Sequence, residues 1–170
     1  MVLRAVDGVE PTVHEEAYVD DAAVVVGDVT LERDASVWPN ATLRGDDPIV
    51  VREGGNIQDN AVCHEDAVVG PYATVGHAAI VHGATVEERA LVGMGAVVLN
   101  DVTVGERAIV AAGSVVTEGT EVPPETLVAG TPAEPVKEVP DSGWADAGER
   151  YVERANLYAE TSHVVDAGRD

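Results

Sequence analysis

The chain has 170 residues, about one domain, with a formal net charge of -21, one cysteine, no phenylalanine and few aromatics. A field this negative repels nucleic acid and anionic membranes, so neither is an expected partner, and Cys63 alone excludes an internal disulfide framework. Nine of the ten basic residues are Arg, with Lys137 the single lysine, and this acid-rich, lysine-poor balance points to a halophilic protein whose self-repulsion is screened by concentrated salt.

Residues 1–20 form an N-terminal lead-in. Met1 to Glu10 holds no uninterrupted apolar run, so neither a signal peptide nor a membrane span is expected, and a cytoplasmic location is the default. Residues 21–136 carry a repeat. Apolar side chains recur every six positions at Leu31, Val37, Leu43 and Ile49, then at Ile57, Cys63, Val69, Val75 and Val81. After a one-residue slip the series resumes at Val86 and continues through Val92, Val98, Val104, Val110, Val116, Val122 and Val128. Neither a 3.6-residue helix nor a period-2 strand sustains a six, whereas a short strand and a tight corner per hexapeptide do. Three hexapeptides then close one triangular coil, and stacked coils form parallel sheets spaced by roughly 4.8 Å. The predicted fold class is all-β, a parallel β-helix of hexapeptide repeats.

Two breaks interrupt the repeat. The eight-residue step from Ile49 to Ile57 reads as an outward bulge through Arg52-Glu53-Gly54-Gly55, and Gly130-Thr131-Pro132-Ala133 closes the last coil because prolines at 132 and 135 cannot extend a ladder. Gly70, Gly76, Gly93 and Gly105 are expected to relieve backbone strain near corners. Residues 137–170 follow. There Tyr151, Ala155 and Tyr158 fall on one face of an expected C-terminal α-helix packed along the outside of the prism.

The repeat turns residue numbers into positions. His64 and His82 each follow an inward residue and are eighteen residues apart, one full coil, so they stack roughly 4.8 Å apart at the backbone. Two imidazole nitrogens on one tetrahedral ion lie roughly 3.3 Å from each other, within reach of side chains leaning together. His77 sits five residues before His82, about 100° around the triangle, on a neighbouring face. One chain does not bring all three to a single ion, but a homotrimer does, where the His64/His82 face of one copy meets the His77 face of the next. Three neutral His ligands leave one position open, the arrangement of a catalytic zinc site, in which the ion lowers the pKa of bound water to about 7 and gives a hydroxide nucleophile. Imidazole suits Fe²⁺ and Co²⁺ as well as Zn²⁺. Unrelated surface histidines are the competing reading, and His14 and His163, outside the register, are read that way.

In this order Leu43-Arg44-Gly45-Asp46, Asn56-Ile57-Gln58-Asp59, Cys63-His64 and Val75-Gly76-His77 through Val81-His82-Gly83 resemble the successive signatures of γ-class carbonic anhydrases, over about residues 20–136. The resemblance implies a left-handed coil and reversible hydration of CO2 to bicarbonate by a metal hydroxide, the metal held by three histidines at subunit interfaces. It implies that Gln58 hydrogen-bonds the metal-bound water and that Asn56 helps orient it or the substrate. Arg44 lies one coil below His64, and Asp59 one coil below His77. They are read as an intersubunit ion pair beside the metal, with Asp46 holding Arg44 from its own chain; an ordinary solvated pair is the alternative. Asp47, where some members carry a glutamate near the metal, reads either as a proton relay or as surface charge. Asn156-Leu157-Tyr158 resembles the helical segment that carries a tyrosine towards the site, so Tyr158 either hydrogen-bonds there or anchors the helix. From Glu65 to Gly76 the repeat is uninterrupted, so the acidic proton-shuttle loop of the family is missing. Two other functions are weighed against this one: a hexapeptide acyltransferase or thioester-acting enzyme, and a non-catalytic trimeric carrier or assembly protein with a retained metal site.

Overall fold

In the computed structural model, which describes residues 1–163 and 165, the hexapeptides wind into a three-sided prism of very short strands. The first face stacks Val2–Arg4, the opening halves of Val24–Leu31 and Thr42–Val51, then Val62–His64, Ile80–His82, Val97–Val98 and Val115–Val116, every pair parallel. The second stacks Thr12–Val13, the closing halves of the same two long strands, then Val68–Val69, Thr85–Val86, Thr103–Val104 and Glu121–Val122. Tyr18–Val19, Ser36–Val37, Asn56–Ile57, Thr74–Val75, Leu91–Val92, Ile109–Val110 and Thr126–Gly130 make the third. The lead-in residues therefore already contribute strands to the first coil.

The period of six has a packing cause. Val25, Val37, Leu43, Ile57, Cys63, Val69, Val75, Val81, Val92, Val98, Val104 and Val110 are fully buried, and so are corner alanines such as Ala35, Ala61, Ala73 and Ala96. Each inward Val removes from water an apolar side chain worth about 1.5–3 kcal/mol, and its β-branch suits the extended backbone. Alanine at the corner is what a narrow triangle admits.

Two expectations change. The extra residues lie not at 52–55 but at Asp46-Asp47-Pro48, because Leu31 pairs with Val51 and Val29 with Ile49, with the register shifting after Gly27. Val51 stacks between Leu31 and Val69 in the six-residue series, while Ile49 points inward two residues earlier on the same strand. The bulge thus projects from the first face beside His64. The named glycines also serve another purpose. A Cβ on Gly70, Gly76, Gly93 or Gly105 would meet backbone atoms of the next coil at 2.6–2.8 Å, so glycine there permits the coils to stack. The left-handed corner conformation falls on other residues, among them Asn40, Asn60, Ala78 and Arg107.

The prolines end the parallel ladder as expected, but Ala133–Glu138 turns back and pairs antiparallel with Thr126–Gly130, where Pro135 is tolerated on an edge strand. The helix Ala147–Thr161 then lies on the third face. Gly148 lets its first turn touch Tyr72, where a Cβ would collide with the backbone oxygen. Arg89 binds the Ala145 carbonyl at 3.2 Å and pairs with Glu149, holding this end down. Among the described residues no helix is long and apolar enough to cross a membrane. Part of the 137–170 segment, residues 164 and 166–170, lies outside the described residues.

Candidate metal centre

His64 and His82 are direct register partners on the first face. Their rings lean together, centroids 4.9 Å apart, and His64 Nδ1 stands 3.0 Å from His82 Nε2. That is close to the separation of two ligand nitrogens on one tetrahedral ion, about 3.3 Å. Glu65 joins them: one nitrogen from each ring and a Glu65 carboxylate oxygen all lie within 4.8 Å of one another. Imidazoles and a carboxylate are a fitting donor set for a divalent transition metal.

The partners of the rings matter as much as the rings. Asp46 Oδ2, in the bulge, is 3.0 Å from His64 Nε2 and 3.0 Å from Arg44 Nε. Arg44, the register partner of His64, also places Nη2 2.5 Å from His64 Nε2. That nitrogen either donates to Asp46 or accepts from Arg44, and the alternatives correspond to the two tautomers of the ring. The hydrogen bond to His64, and secondarily the Arg44 charge, hold the Asp46 carboxyl below its ordinary range. Asp46 thus remains an acceptor for an imidazole N–H, a role beyond holding Arg44. On the other ring, His82 Nδ1 is 2.9 Å from Asn100 Oδ1 and 3.7 Å from Glu65 Oε2.

His77 stands apart on the corner after the third-face strand Thr74–Val75, outside the His64–Glu65–His82 group. Its Nδ1 lies 2.9 Å from Asp59 Oδ2, so within the chain Asp59 engages His77. Gln58, just before Asp59, is buried and donates from Nε2 to Asn56 Oδ1 at 3.2 Å. Asn56 is fully enclosed and donates to Ala73 O at 3.2 Å and Thr74 Oγ1 at 2.9 Å. Asn56 therefore orients Gln58, leaving Gln58 Oε1 as the free acceptor of the pair.

Residues 83–118 match the family model described as bacterial transferase hexapeptide (six repeats). A probable carbonic anhydrase of Methanocaldococcus jannaschii is 52% identical over 122 residues, covering 69% of this chain and 77% of that protein. Gamma carbonic anhydrase 1, mitochondrial, of Arabidopsis thaliana is 35% identical over 158 residues, covering 86% of this chain and 58% of that protein. The chain belongs to the γ-class carbonic anhydrase family. Its span is a little over half the length of the Arabidopsis relative. In three dimensions it is similar to a hexapeptide transferase family protein from Anaplasma phagocytophilum, with a TM-score of 0.90 and 37% identity over 92% of this chain and 98% of that one.

Two residues that the family resemblance draws towards the site make no hydrogen bond to a histidine among the described residues. Tyr158 packs edge-on to Trp38 at 5.3 Å and lies 6.4 Å from Tyr18, which makes it an anchor of the helix within the chain. Asp47 is exposed at the tip of the bulge. The tyrosine that shares a cleft with His77 is Tyr151, two helical turns before Tyr158. With Gln58, His77, Met94, Trp144 and Arg150 it lines a cleft of about 350 Å³ between the third face and the start of the helix. Burial pushes the Cys63 thiol up to about 12, as suits a core residue. Glu65, Asn100 and Tyr151 are not placed at the site by the sequence, although Asn100 stands eighteen residues, one nominal coil, after His82.

Proposed function

We propose that this protein catalyses reversible hydration of CO2 to bicarbonate at metal sites shared between copies in a homotrimer, with His64 and His82 from one copy and His77 from the next. The observation that carries the reading is the 3.0 Å approach of His64 Nδ1 and His82 Nε2, each ring bonded at its other nitrogen. Such backing by carboxylate or amide groups orients ligand imidazoles and raises their basicity. His77 matches them, since its Nδ1 faces the Asp59 carboxylate at 2.9 Å. A carboxylate only accepts, so the His77 Nε2 lone pair is left for an ion.

A metal here, Zn²⁺ or equally Fe²⁺ or Co²⁺, supplies Lewis acidity that makes water nucleophilic near neutral pH. The protein supplies position. Gln58 Oε1, fixed because Nε2 is held by Asn56, would accept a hydrogen bond from a water beside His77 and so orient that water. The apolar wall of Met94 and Trp144 accommodates CO2, which carries no net charge. The proton released would leave through the acidic rim, where Asp47 is exposed in the bulge beside Asp46. Arg44 and Asp59 are the pair we place across the interface. We further read the -21 charge as adaptation to concentrated salt.

The competing reading is acyl or thioester chemistry, which the 350 Å³ cleft beside His77 favours because CO2 fills only a small part of it. Stopped-flow CO2 hydration on protein purified anaerobically, with metal content measured, tests the proposal. Hydration that is lost on chelation and in His77→Ala supports it. A full complement of zinc or iron without hydration removes it, and acyl transfer that survives chelation selects the rival.

A further inference from the structure

His82 has two nitrogens, and its neighbours leave only one arrangement of hydrogens. Asn100 Nδ2 lies 3.0 Å from Glu65 Oε2. An ionised carboxylate accepts and does not donate, so the NH2 end of the amide faces Glu65 and the carbonyl end faces His82. Asn100 Oδ1 is 2.9 Å from His82 Nδ1. An amide oxygen likewise only accepts, so His82 Nδ1 must carry a proton. In the neutral ring the lone pair is then confined to Nε2, the nitrogen that faces His64.

We infer that Asn100 is a positioning residue that sets the tautomer and ring orientation of His82, and that Glu65 in turn sets the orientation of Asn100. As a statement about metal binding this rests on the metal-centre reading above; as a statement about the tautomer it does not. The backbone is arranged to admit the triad. Gly83 adopts φ +59°, and a Cβ there would lie 2.7 Å from Asn100 Nδ2 and 3.1 Å from its Cγ. Asp101 N donates to Gly83 O at 2.8 Å, fixing the chain directly after Asn100. The three histidines thus have unequal partners, Asp46, Asp59 and Asn100. An amide fixes the third ring without adding a negative charge to a site already rimmed by carboxylates.

The test uses the full chain in two states. In metal-stripped, ¹⁵N-labelled protein in mildly alkaline buffer, His82 should show the Nδ1–H tautomer by long-range ¹⁵N–¹H correlation. Asn100→Ala should lose that preference. In the metal-loaded protein, chelator competition should show zinc binding weakened about 10–100-fold in Asn100→Ala. Asn100→Asp, combined with Glu65→Gln so that a donor remains between the two side chains, keeps an acceptor towards Nδ1 and should bind zinc more tightly than Asn100→Ala. Thermal unfolding of the metal-free variants reports any general loss of structure. Unchanged tautomer and unchanged affinity in Asn100→Ala overturn the assignment, as does equal weakening in Asn100→Ala and the double variant. Wild-type protein that shows the tautomer and its loss in Asn100→Ala, yet takes up no metal, supports the positioning of His82 and overturns the metal centre.

Discussion

Asp59 Oδ2 stands 2.9 Å from His77 Nδ1, one coil away on the same corner of the prism. In the proposed trimer this contact would prepare His77 as a ligand, on a face that its own His64 and His82 do not share. Sites completed between copies make a prediction about mixing. His64→Ala and His77→Ala proteins should each bind no metal at the shared sites. Refolded together at equal amounts, they should recover about one quarter of the sites, because half of the copies offer intact His64/His82 and half of their neighbours intact His77. Metal content of the mixed trimer checks this, and zero recovery would place the site within one chain.

Gln58 and Asn56 divide their work by burial. Gln58→Ala removes the free acceptor and should lower kcat/KM roughly tenfold or more with metal content unchanged. Asn56→Leu leaves the buried partners Ala73 O and Thr74 Oγ1 without their donor and should cost about 1–3 kcal/mol of stability. Chemical denaturation beside steady-state kinetics separates the two effects.

Tyr158 and Trp38 test the role of the helix. Tyr158→Phe keeps the ring against Trp38 and should leave activity and stability unchanged. Trp38→Ala empties the buried centre of the Tyr18, Tyr151 and Tyr158 cluster and should cost about 3–5 kcal/mol. A large loss of kcat in Tyr158→Phe with stability intact would return Tyr158 to the mechanism.

Glycine placement gives a contrast of sign. In Gly93→Ala the new Cβ meets Ala112 N and Val110 O at 2.6 Å, backbone atoms that no rotamer change can move, and the expected loss is about 1–3 kcal/mol. Ala78 already adopts φ 58°, so Ala78→Gly relieves left-handed strain and should be neutral or stabilising, by at most about 1 kcal/mol after the entropy cost of glycine. Thermal midpoints of the two variants should move in different directions or differ clearly in size.

The acidic surface carries a salt prediction. With a charge of -21, the unfolding midpoint should rise steadily between dilute buffer and about 2 M KCl as self-repulsion is screened. Full stability in dilute buffer, with no further gain, would argue against adaptation to salt.

Much of this molecule is legible before folding because a coil of fixed length converts sequence distance into spatial distance. The inward valines, the stacking of His64 on His82 and the descent from His77 to Asp59 all follow from counting eighteen. Counting fails where the coil length changes. Ile49 and Val51 both point into the core, so hydrophobicity does not say which continues the six-residue series; only the pairing of Leu31 with Val51 does. That pairing moves the bulge to Asp46-Asp47-Pro48 and sets Asp46 against His64. Asn100 stands eighteen residues after His82, yet the coil between them is one residue short, since Val81 pairs with Val98 seventeen residues on. Only the structure shows that the amide still reaches the ring.

By itself the sequence determined the repeat, the core and the histidine register, since these depend on a period that local packing enforces in every coil. The tertiary structure alone decided which group backs each imidazole, and so which nitrogen is left for a metal. That choice depends on donors and acceptors converging from strands and bulges whose registers differ, to within a few tenths of an ångström. A six-residue period carries no information at that scale.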